Sequence, residues 1–448
     1  MAVKPLPLME GLRSVPDSRV LVVGTTRDYV DYLQKALPGR LFFITDPVEY
    51  PAGRPESPVG AFHLIHPLIE AGAVFDGIEI YQEEFGFEIS GVACFDCQSL
   101  LLASEIARGR HPFPKTEVIL DCRDKYRSKR LWESAGVSCP KFAMAYNEKQ
   151  AASFIDSIGG PVVLKPAVLS GSELTFICRD RGETARAFNA ILRGQRLRKG
   201  SAAFDCDGLL DDTAVLCEEC ITGTEFSSDF IYQNGRLEII RMARKHLLPG
   251  GPAGTAQAYE IPARDLPVEV PVFEQLLKSA VESLGLQRCM GMADFIFRGK
   301  TPYFIEISPR PGGDCLPQLI RRSSGMDILT ANIDFSEGRP VEIPDSGIWK
   351  HLVGLRVHSS TAGLLRSVQV KTGGLAQEII EEDWIRKPGD LIKLPPDDYQ
   401  SWLLGHVIFK PVPEISVADQ VLAVREAVEV NIEAVSYTHL TLPTTPYV

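Results

Sequence analysis

Met290-Gly-Met-Ala-Asp294-Phe-Ile-Phe297, a turn over residues 298–302, then Tyr303-Phe-Ile-Glu306-Ile-Ser308-Pro-Arg310-Pro-Gly-Gly-Asp314 is the most specific stretch of this 448-residue chain. Two strands joined by a tight turn would set Asp294 and Glu306 side by side. Paired carboxylates facing a cleft repel one another unless a cation lies between them. Hard oxygen ligands of this kind select magnesium bridging phosphates. The plainer alternative is two strand-end acids on a solvated face. Pro-Arg-Pro-Gly-Gly weighs against it, because an arginine fixed on a rigid loop beside metal-binding carboxylates suits the stabilisation of an oxyanion.

Upstream, Val20 to Val23 is a continuous apolar run ending in Gly24, as expected of a parallel strand buried on both faces. Helical apolar spacing over residues 28–37 and a second strand at 41–44 give a βαβ start and a doubly wound parallel-sheet unit over 1–118. A charged amphipathic helix is expected over 121–137, with Asp121 as a possible N-cap. It opens a central unit, 119–347, dominated by strands. Within that unit Val162 to Leu164 delivers Lys165 to a strand end, and Ser170-Gly171-Ser172 makes a small-residue loop before the next strand. Residues 214–221 read as a buried strand and 272–284 as a helix. From 348 to 434 shorter strands and Gly/Pro turns predict a smaller third unit ending in a helical stretch at 416–433. Residues 435–448 have no apolar periodicity, read as disordered or as translated adapter sequence, and are set aside. The fold class is α/β with α+β character.

Size and composition narrow the function. A chain this long needs two to four structural units. No apolar run approaches the ~20 residues of a membrane helix, and residues 1–13 lack the apolar core of a signal peptide, so a cytoplasmic location is expected. A formal net charge of −11 without an extended basic block argues against nucleic acid or an anionic membrane as partner and favours small-molecule chemistry. Ten cysteines are scattered through the chain, and the Cys94/Cys97 and Cys217/Cys220 pairs lie too far apart in sequence for an ordinary zinc motif. Free thiols are the expectation. No Gly-x-x-x-x-Gly-Lys-Ser/Thr occurs, which excludes a P-loop.

Asp294 with Glu-Ile-Ser-Pro-Arg at 306–310 resembles the metal-binding signature of the ATP-grasp superfamily, Asp…Glu-x-Asn-x-Arg, with Ser308 in place of asparagine. The family's other elements follow its order: Asp124-Lys125 heading a helix, Val163-Leu164-Lys165-Pro166 on a strand, and Cys217-Glu218-Glu219-Cys220-Ile221-Thr-Gly-Thr-Glu225 as a hinge. The resemblance covers roughly residues 15–434. It implies an ATP-grasp fold and an ATP- and magnesium-dependent ligase that forms an acyl phosphate and joins it to an amine; manganese could replace magnesium. Lys125 and Lys165 would meet phosphates, as would the lid Ser170, Gly171 and Ser172 through backbone N–H groups. Glu218, Glu219 and Ile221 would lie at adenine and Glu225 at the ribose hydroxyls. Asp294, Glu306 and Ser308 would hold the metal, and Arg310 the oxyanion. The basic run Arg241-Met-Ala-Arg244-Lys245-His246 would place Arg241, Arg244 and His246 near the carboxylate substrate.

The pattern at 356–363, 387–390 and 405–407 looks most like the L-amino-acid ligase branch. A purine-biosynthesis ligase or formate-using transferase is the alternative, since Ser-Pro-Arg-Pro also occurs there; a nucleotide-binding protein that has lost catalysis is another. The expected partners are a small carboxylate and an amine. A homodimer is one candidate for the oligomeric state, which the sequence leaves open.

Overall fold

The structure, a computed structural model, describes residues 18–49, 62–201, 205 and 207–434. The readings made for residues 1–13 and 435–448 lie outside them. The first unit is a parallel sheet in the order β3-β2-β1-β4: β1 (Ser18–Val23), β2 (Leu41–Thr45), β3 (His63–Ile65) and β4 (Glu88–Cys94). Helices α1 (Arg27–Ala36), α2 (Ala71–Phe85) and α3 (Leu100–Ala107) connect or follow these strands. Val20 to Val23 are all fully buried, as a strand covered on both faces requires.

The single helix expected over 121–137 is two, α4 (Thr116–Arg123) and α5 (Lys125–Ser134). Asp124, not Asp121, is the cap. It takes an extended conformation, and its side chain accepts from Tyr126 N and Arg127 N, satisfying donors that the first turn of α5 leaves open.

A small antiparallel sheet, β5-β8-β6-β7, follows: β5 (Phe142–Ala145), β6 (Val162–Lys165), β7 (Phe176–Cys178) and β8 (Val215–Glu219), backed by α6 (Glu148–Ile158) and α7 (Arg181–Arg198). The third sheet has eight strands in the order β13-β12-β9-β10-β11-β14-β18-β16. Its members are β9 (Thr224–Gln233), β10 (Arg236–Leu247), β11 (Ala256–Ile261), β12 (Arg288–Arg298), β13 (Thr301–Ser308), β14 (Leu352–His358), β16 (Glu378–Trp384) and β18 (Leu403–Lys410). The boundary expected at 347/348 is therefore not a sheet boundary: β14 pairs with β11 and carries the same sheet onward. A three-stranded sheet, β17-β15-β19, completes the end of the chain with β15 (Gly363–Val370), β17 (Leu391–Ile392) and β19 (Val428–Glu433). The helix expected over 416–433 stops early, at α11 (Val417–Glu426), after α8 (Val270–Ser283), α9 (Leu316–Ser324) and α10 (Ile328–Ser336) have packed against the large sheet. Val428-Glu-Val-Asn-Ile-Glu433 alternates with period two, which fits a strand.

The large sheet buries apolar side chains on both faces. One face packs Phe226, Phe230, Phe295 and Phe304 against Phe273 of α8. The other packs Ile231, Ala243, Tyr259 and Met290 against α9, α10 and the first unit. The small sheet has its own core with α6 and α7.

Candidate active site

β12 and β13 form the expected hairpin, and Asp294 is the direct cross-strand partner of Glu306. Phe226, Phe230 and Phe295 of β9 and β12 point toward α8, so the alternate residues Glu225, Asp229 and Asp294 point the other way. This second face meets the small sheet, and a cluster of lysines fills the junction.

Lys125, the first residue of α5, places its Nζ 3.4 Å from Glu306 Oε2 and donates to Leu169 O at 2.6 Å. One helical turn on, Lys129 donates to Ile305 O at 3.0 Å and lies 2.8 Å from Glu218 Oε1. Lys165, at the end of β6, approaches Glu218 Oε2 at 2.9 Å. Lys245 of β10 sits 2.7 Å from Glu225 Oε1 and 3.5 Å from Asp294 Oδ2. All four ammonium groups and Glu218 are buried. Four lysines stand against four acids, Glu306, Glu218, Glu225 and Asp294, and Arg310 on the adjoining loop adds a further positive charge, an arrangement that suits a polyanion held with a cation.

The electrostatics follow from that crowding. Burial lowers the Lys129 ammonium to about 8 although Glu218 opposes the fall. Burial alone would raise Glu218, but Lys129 and Lys165 outweigh it and hold the carboxyl below its ordinary value. Glu306 is likewise lowered, against its burial, by Lys125, Lys165, Arg310 and Arg123. Asp294 moves the other way: burial raises it, Lys245 opposes, and Glu225 and Glu306 add to the rise. A directly paired set of carboxylates, one of them pushed toward its neutral form by burial and then by neighbouring acids, is a donor set that a hard divalent cation fits. Ser308, buried two residues beyond Glu306, adds a hydroxyl on the same strand face. Among the described residues no group of three or more His, Cys, Asp or Glu side chains converges as a metal cluster.

Arg310 lies just past β13. Its Nε donates to Cys97 Sγ at 3.0 Å and its Nη1 to Pro311 O at 2.7 Å. The loop after it is fixed from both sides. Asp229 Oδ1 accepts from Gly312 N at 2.7 Å, and Asp314 accepts from Tyr259 Oη at 2.9 Å and pairs with Arg356 at 2.9 Å. A Cβ at Gly312 would come within 2.9 Å of the Leu316 side chain and 3.0 Å of Arg241 Nη2, so the loop passes close to both. In the hinge, a Cβ at Gly223 would lie 2.0 Å from Phe297 O, which ties the 221–225 segment to β12.

The remaining expected residues fall in different places. Ser170, Gly171 and Ser172 form the loop between β6 and β7, with positive φ at Gly171 and Ser172. Glu219 points away from Glu218, pairing with Arg298 at 2.8 Å. Ile221 is buried at the hinge. Arg241 reaches the site face but is locked to Asp229 at 2.7 Å and to Ser227, with Nη2 left unpartnered. Arg244 and His246 do not join the site. A bulge at 239–241 sets Arg241, Ala243 and Lys245 on the site face, and alternation puts Arg244 and His246 on the other. Arg244 pairs with Asp265 at 3.5 Å, and His246 Nε2 meets Glu260 Oε2 at 3.0 Å. Sequence reasoning missed Lys129, Lys245, Asp229 and Cys97. The first two had a signal: Lys129 is one helical turn from Lys125, and Lys245 keeps the strand parity of Arg241.

Residues 158–318 match the family model of the ATP-grasp domain. A search of curated proteins finds an uncharacterised protein, y4rH, of Sinorhizobium fredii, 26% identical over 262 residues that cover 56% of this chain and 50% of that one. It also finds D-alanine–D-alanine ligases of Nitrosospira multiformis, 25% identical over 42% of this chain and 57% of the ligase, and of Aromatoleum aromaticum, 27% identical over 46% and 62%. The chain thus spans only about half to three fifths of the length of these curated relatives. Among solved structures, the L-amino acid ligase of Bacillus licheniformis superposes with a TM-score of 0.72 at 16% identity, covering 93% of this chain and 99% of that one. The phosphoribosylglycinamide synthetase of Anaerococcus prevotii gives 0.61 at 16% identity, covering 93% and 100%. A biotin carboxylase domain of Hydrogenobacter thermophilus, solved with MgADP and bicarbonate, gives 0.63 at 16% identity, covering 94% and 92%. The chain carries an ATP-grasp domain, and its overall fold is the one these ATP-grasp enzymes share.

Proposed function

We propose that this protein is an ATP- and magnesium-dependent ligase that activates a carboxylate as an acyl phosphate and joins it to an amine, releasing ADP and phosphate. The observation that carries the reading is the in-register pair Asp294 and Glu306 facing Lys125, Lys165 and Lys245, with Arg310 on the adjoining loop.

Asp294, Glu306 and Ser308 would hold magnesium or manganese, which when bound offsets charge on the transferring phosphoryl group. Lys125 and Lys165 add fixed positive charge at the phosphates, and the Ser170–Ser172 loop offers backbone N–H groups to their oxygens. Glu218 is committed to Lys129 and Lys165, so its part is to position those ammonium groups. Glu225 orients the ribose while paired with Lys245. Arg310 stabilises the oxyanion formed when the amine attacks the acyl carbon, and phosphate then leaves as the amide bond forms. His246 has no part, since it lies on the opposite face.

The finer reading takes amino acids as substrates and places the protein in the cytoplasm. It draws support from the likeness to an L-amino acid ligase and from the 356–363 pattern, whose Arg356 braces the loop behind Arg310. Among the described residues no helix is long and apolar enough to cross a membrane. A purine-type ligase is the second reading, favoured by Ser308-Pro-Arg-Pro and the likeness to a phosphoribosylglycinamide synthetase. A coupled ADP-release screen over amino acids and small carboxylates, with mass spectrometry of the products, tests both. Condensation of two amino acids supports the first reading, whereas turnover only with a ribosylamine phosphate supports the second. Phosphate release with no acceptor-dependent product under any pairing rejects the ligase.

A further inference from the structure

One turn of the first unit reaches the reaction face without any role assigned so far. It is Asp96–Ser99, between β4 and α3. Asp96 builds it: one carboxylate oxygen accepts from Gln98 N at 2.6 Å and Ser99 N at 3.0 Å, and the other accepts from Ser99 Oγ at 2.8 Å. A turn braced by three such bonds holds its side chains in fixed directions. Cys97 is buried, its sulfur accepting from Arg310 Nε at 3.0 Å and lying 3.7 Å from Ser308 Oγ. Next to it, Gln98 Nε2 donates to Ser170 Oγ of the β6–β7 loop at 3.3 Å.

A single turn thus touches the oxyanion arginine, a candidate metal ligand and the phosphate loop. Sulfur is ordinarily a weak acceptor, but a guanidinium donor strengthens the bond. Nε lies at the root of the guanidinium plane. Nε on Cys97 and Nη1 on Pro311 O orient the fork, and among the described residues no hydrogen bond engages Nη2.

We propose that Cys97 is a positioning residue for the ligase reaction, holding Arg310 so that Nη2 faces the reacting acyl group, and that Gln98 beside it ties the same turn to the phosphate loop. The kinetic consequence rests on the ligase reading, whereas the contact does not. A misplaced catalytic group costs rate more than binding, so the two effects separate. Cys97→Ala in the full chain lowers kcat for ADP release by roughly ten- to a hundredfold, with ATP affinity by calorimetry and Tm unchanged. Cys97→Ser, whose oxygen also accepts from Nε, recovers most of the rate. Gln98→Ala raises KM for ATP more than it lowers kcat.

A wild-type kcat in Cys97→Ala overturns the proposal. So do equal losses in the Ala and Ser variants accompanied by lost ATP binding, the signature of a merely structural cysteine. Alkylation of Cys97 by iodoacetamide, read by peptide mass mapping, follows the contact without needing turnover. Arg310→Ala uncovers the sulfur and speeds labelling severalfold, and equal rates in both proteins overturn the contact. A wild-type protein that turns over no carboxylate–amine pair, with the labelling contrast intact, overturns the ligase reading and with it the kinetic role of Cys97.

Discussion

The two faces of β9 and β12 are made from alternate residues, and a register shift between Phe304 and Glu306 sets β13 to match, yet the faces hold opposite chemistry. One face stacks Phe226, Phe295 and Phe304 against Phe273 of α8, with ring centroids of Phe273 and Phe295 4.5 Å apart. The other presents Glu225, Asp229, Asp294 and Glu306, each against a cation. A one-residue slip of register would exchange the two sets. Tightly packed aromatic rings make such a slip costly, so the apolar face fixes where the carboxylates stand. On the other face Ile231 and Met290 join the second core, and the charged stretch beside them is the part that can be committed to a ligand.

Adjacent substitutions break this comparison most directly. Asp294→Asn, and equally Glu306→Gln, should abolish magnesium-dependent ADP formation, a loss of several kcal/mol of transition-state stabilisation, with Tm close to wild type. Phe295→Ala, one residue along, should cost about 3–5 kcal/mol of stability by denaturant unfolding while the folded fraction keeps its turnover. If the Asp294 variant unfolds as readily as the Phe295 variant, the division between the faces is wrong. If it turns over normally, the metal assignment is wrong.

Further along the helix-side face the aromatics give way to an ion cluster, which sharpens the comparison under acid. Glu260 accepts from His246 at 3.0 Å and His351 at 2.9 Å. Burial would raise its carboxyl, but the two imidazoles outweigh burial and lower it from 4.5 to about 2. A carboxyl depressed in the folded state lends stability that is present in full above about 4.5 and is lost as pH falls toward about 2. Glu260→Gln should therefore cost about 2 kcal/mol at neutral pH, and it should flatten the decline in Tm across that acid window. An unchanged acid profile in the variant would mean that the histidines do not hold this carboxylate in solution.

On the charged side, Lys165→Ala should weaken ATP binding by more than the ~1 kcal/mol typical of an exposed lysine, because its ammonium is buried beside Glu218. Calorimetry showing unchanged affinity would leave Lys165 as a partner of Glu218 and nothing more.

How far this arrangement could be read beforehand depended on the range of each interaction. The hairpin at 290–308 follows from local alternation and a tight turn, whereas the direct pairing of Asp294 with Glu306 also needs a register shift between Asp294 and Phe295. The parallel start was legible in the unbroken apolar run at 20–23. Helix ends were harder, since Asp121 and Asp124 are equally good caps locally and only Lys125 N pairing with Ala167 O pins the second. Arg244 and His246 fall elsewhere because the basic run 241–246 lies on one regular strand, where alternation puts them on the face opposite Arg241, Ala243 and Lys245. Cys97 was out of reach, as it is 213 residues from Arg310 in sequence.

The smallest expected effect concerns Ser308, where the ATP-grasp signature has asparagine. Ser308 is buried at the end of β13 on the carboxylate face, with Cys97 Sγ 3.7 Å from its hydroxyl. A serine oxygen can ligate a hard cation but reaches less far than an asparagine carbonyl, so a water would bridge the difference, and magnesium keeps waters readily. The wild-type protein should be active with a raised magnesium requirement. Ser308→Asn should lower the magnesium concentration for half-maximal ADP release at saturating ATP. Ser308→Ala should raise it modestly, since water replaces one neutral ligand at small cost. Identical magnesium titrations for the three proteins would show that position 308 does not reach the metal and would reduce the protein donor set to Asp294 and Glu306. The division of the sheet into an aromatic and a charged face would stand, with the metal held by the two carboxylates and water.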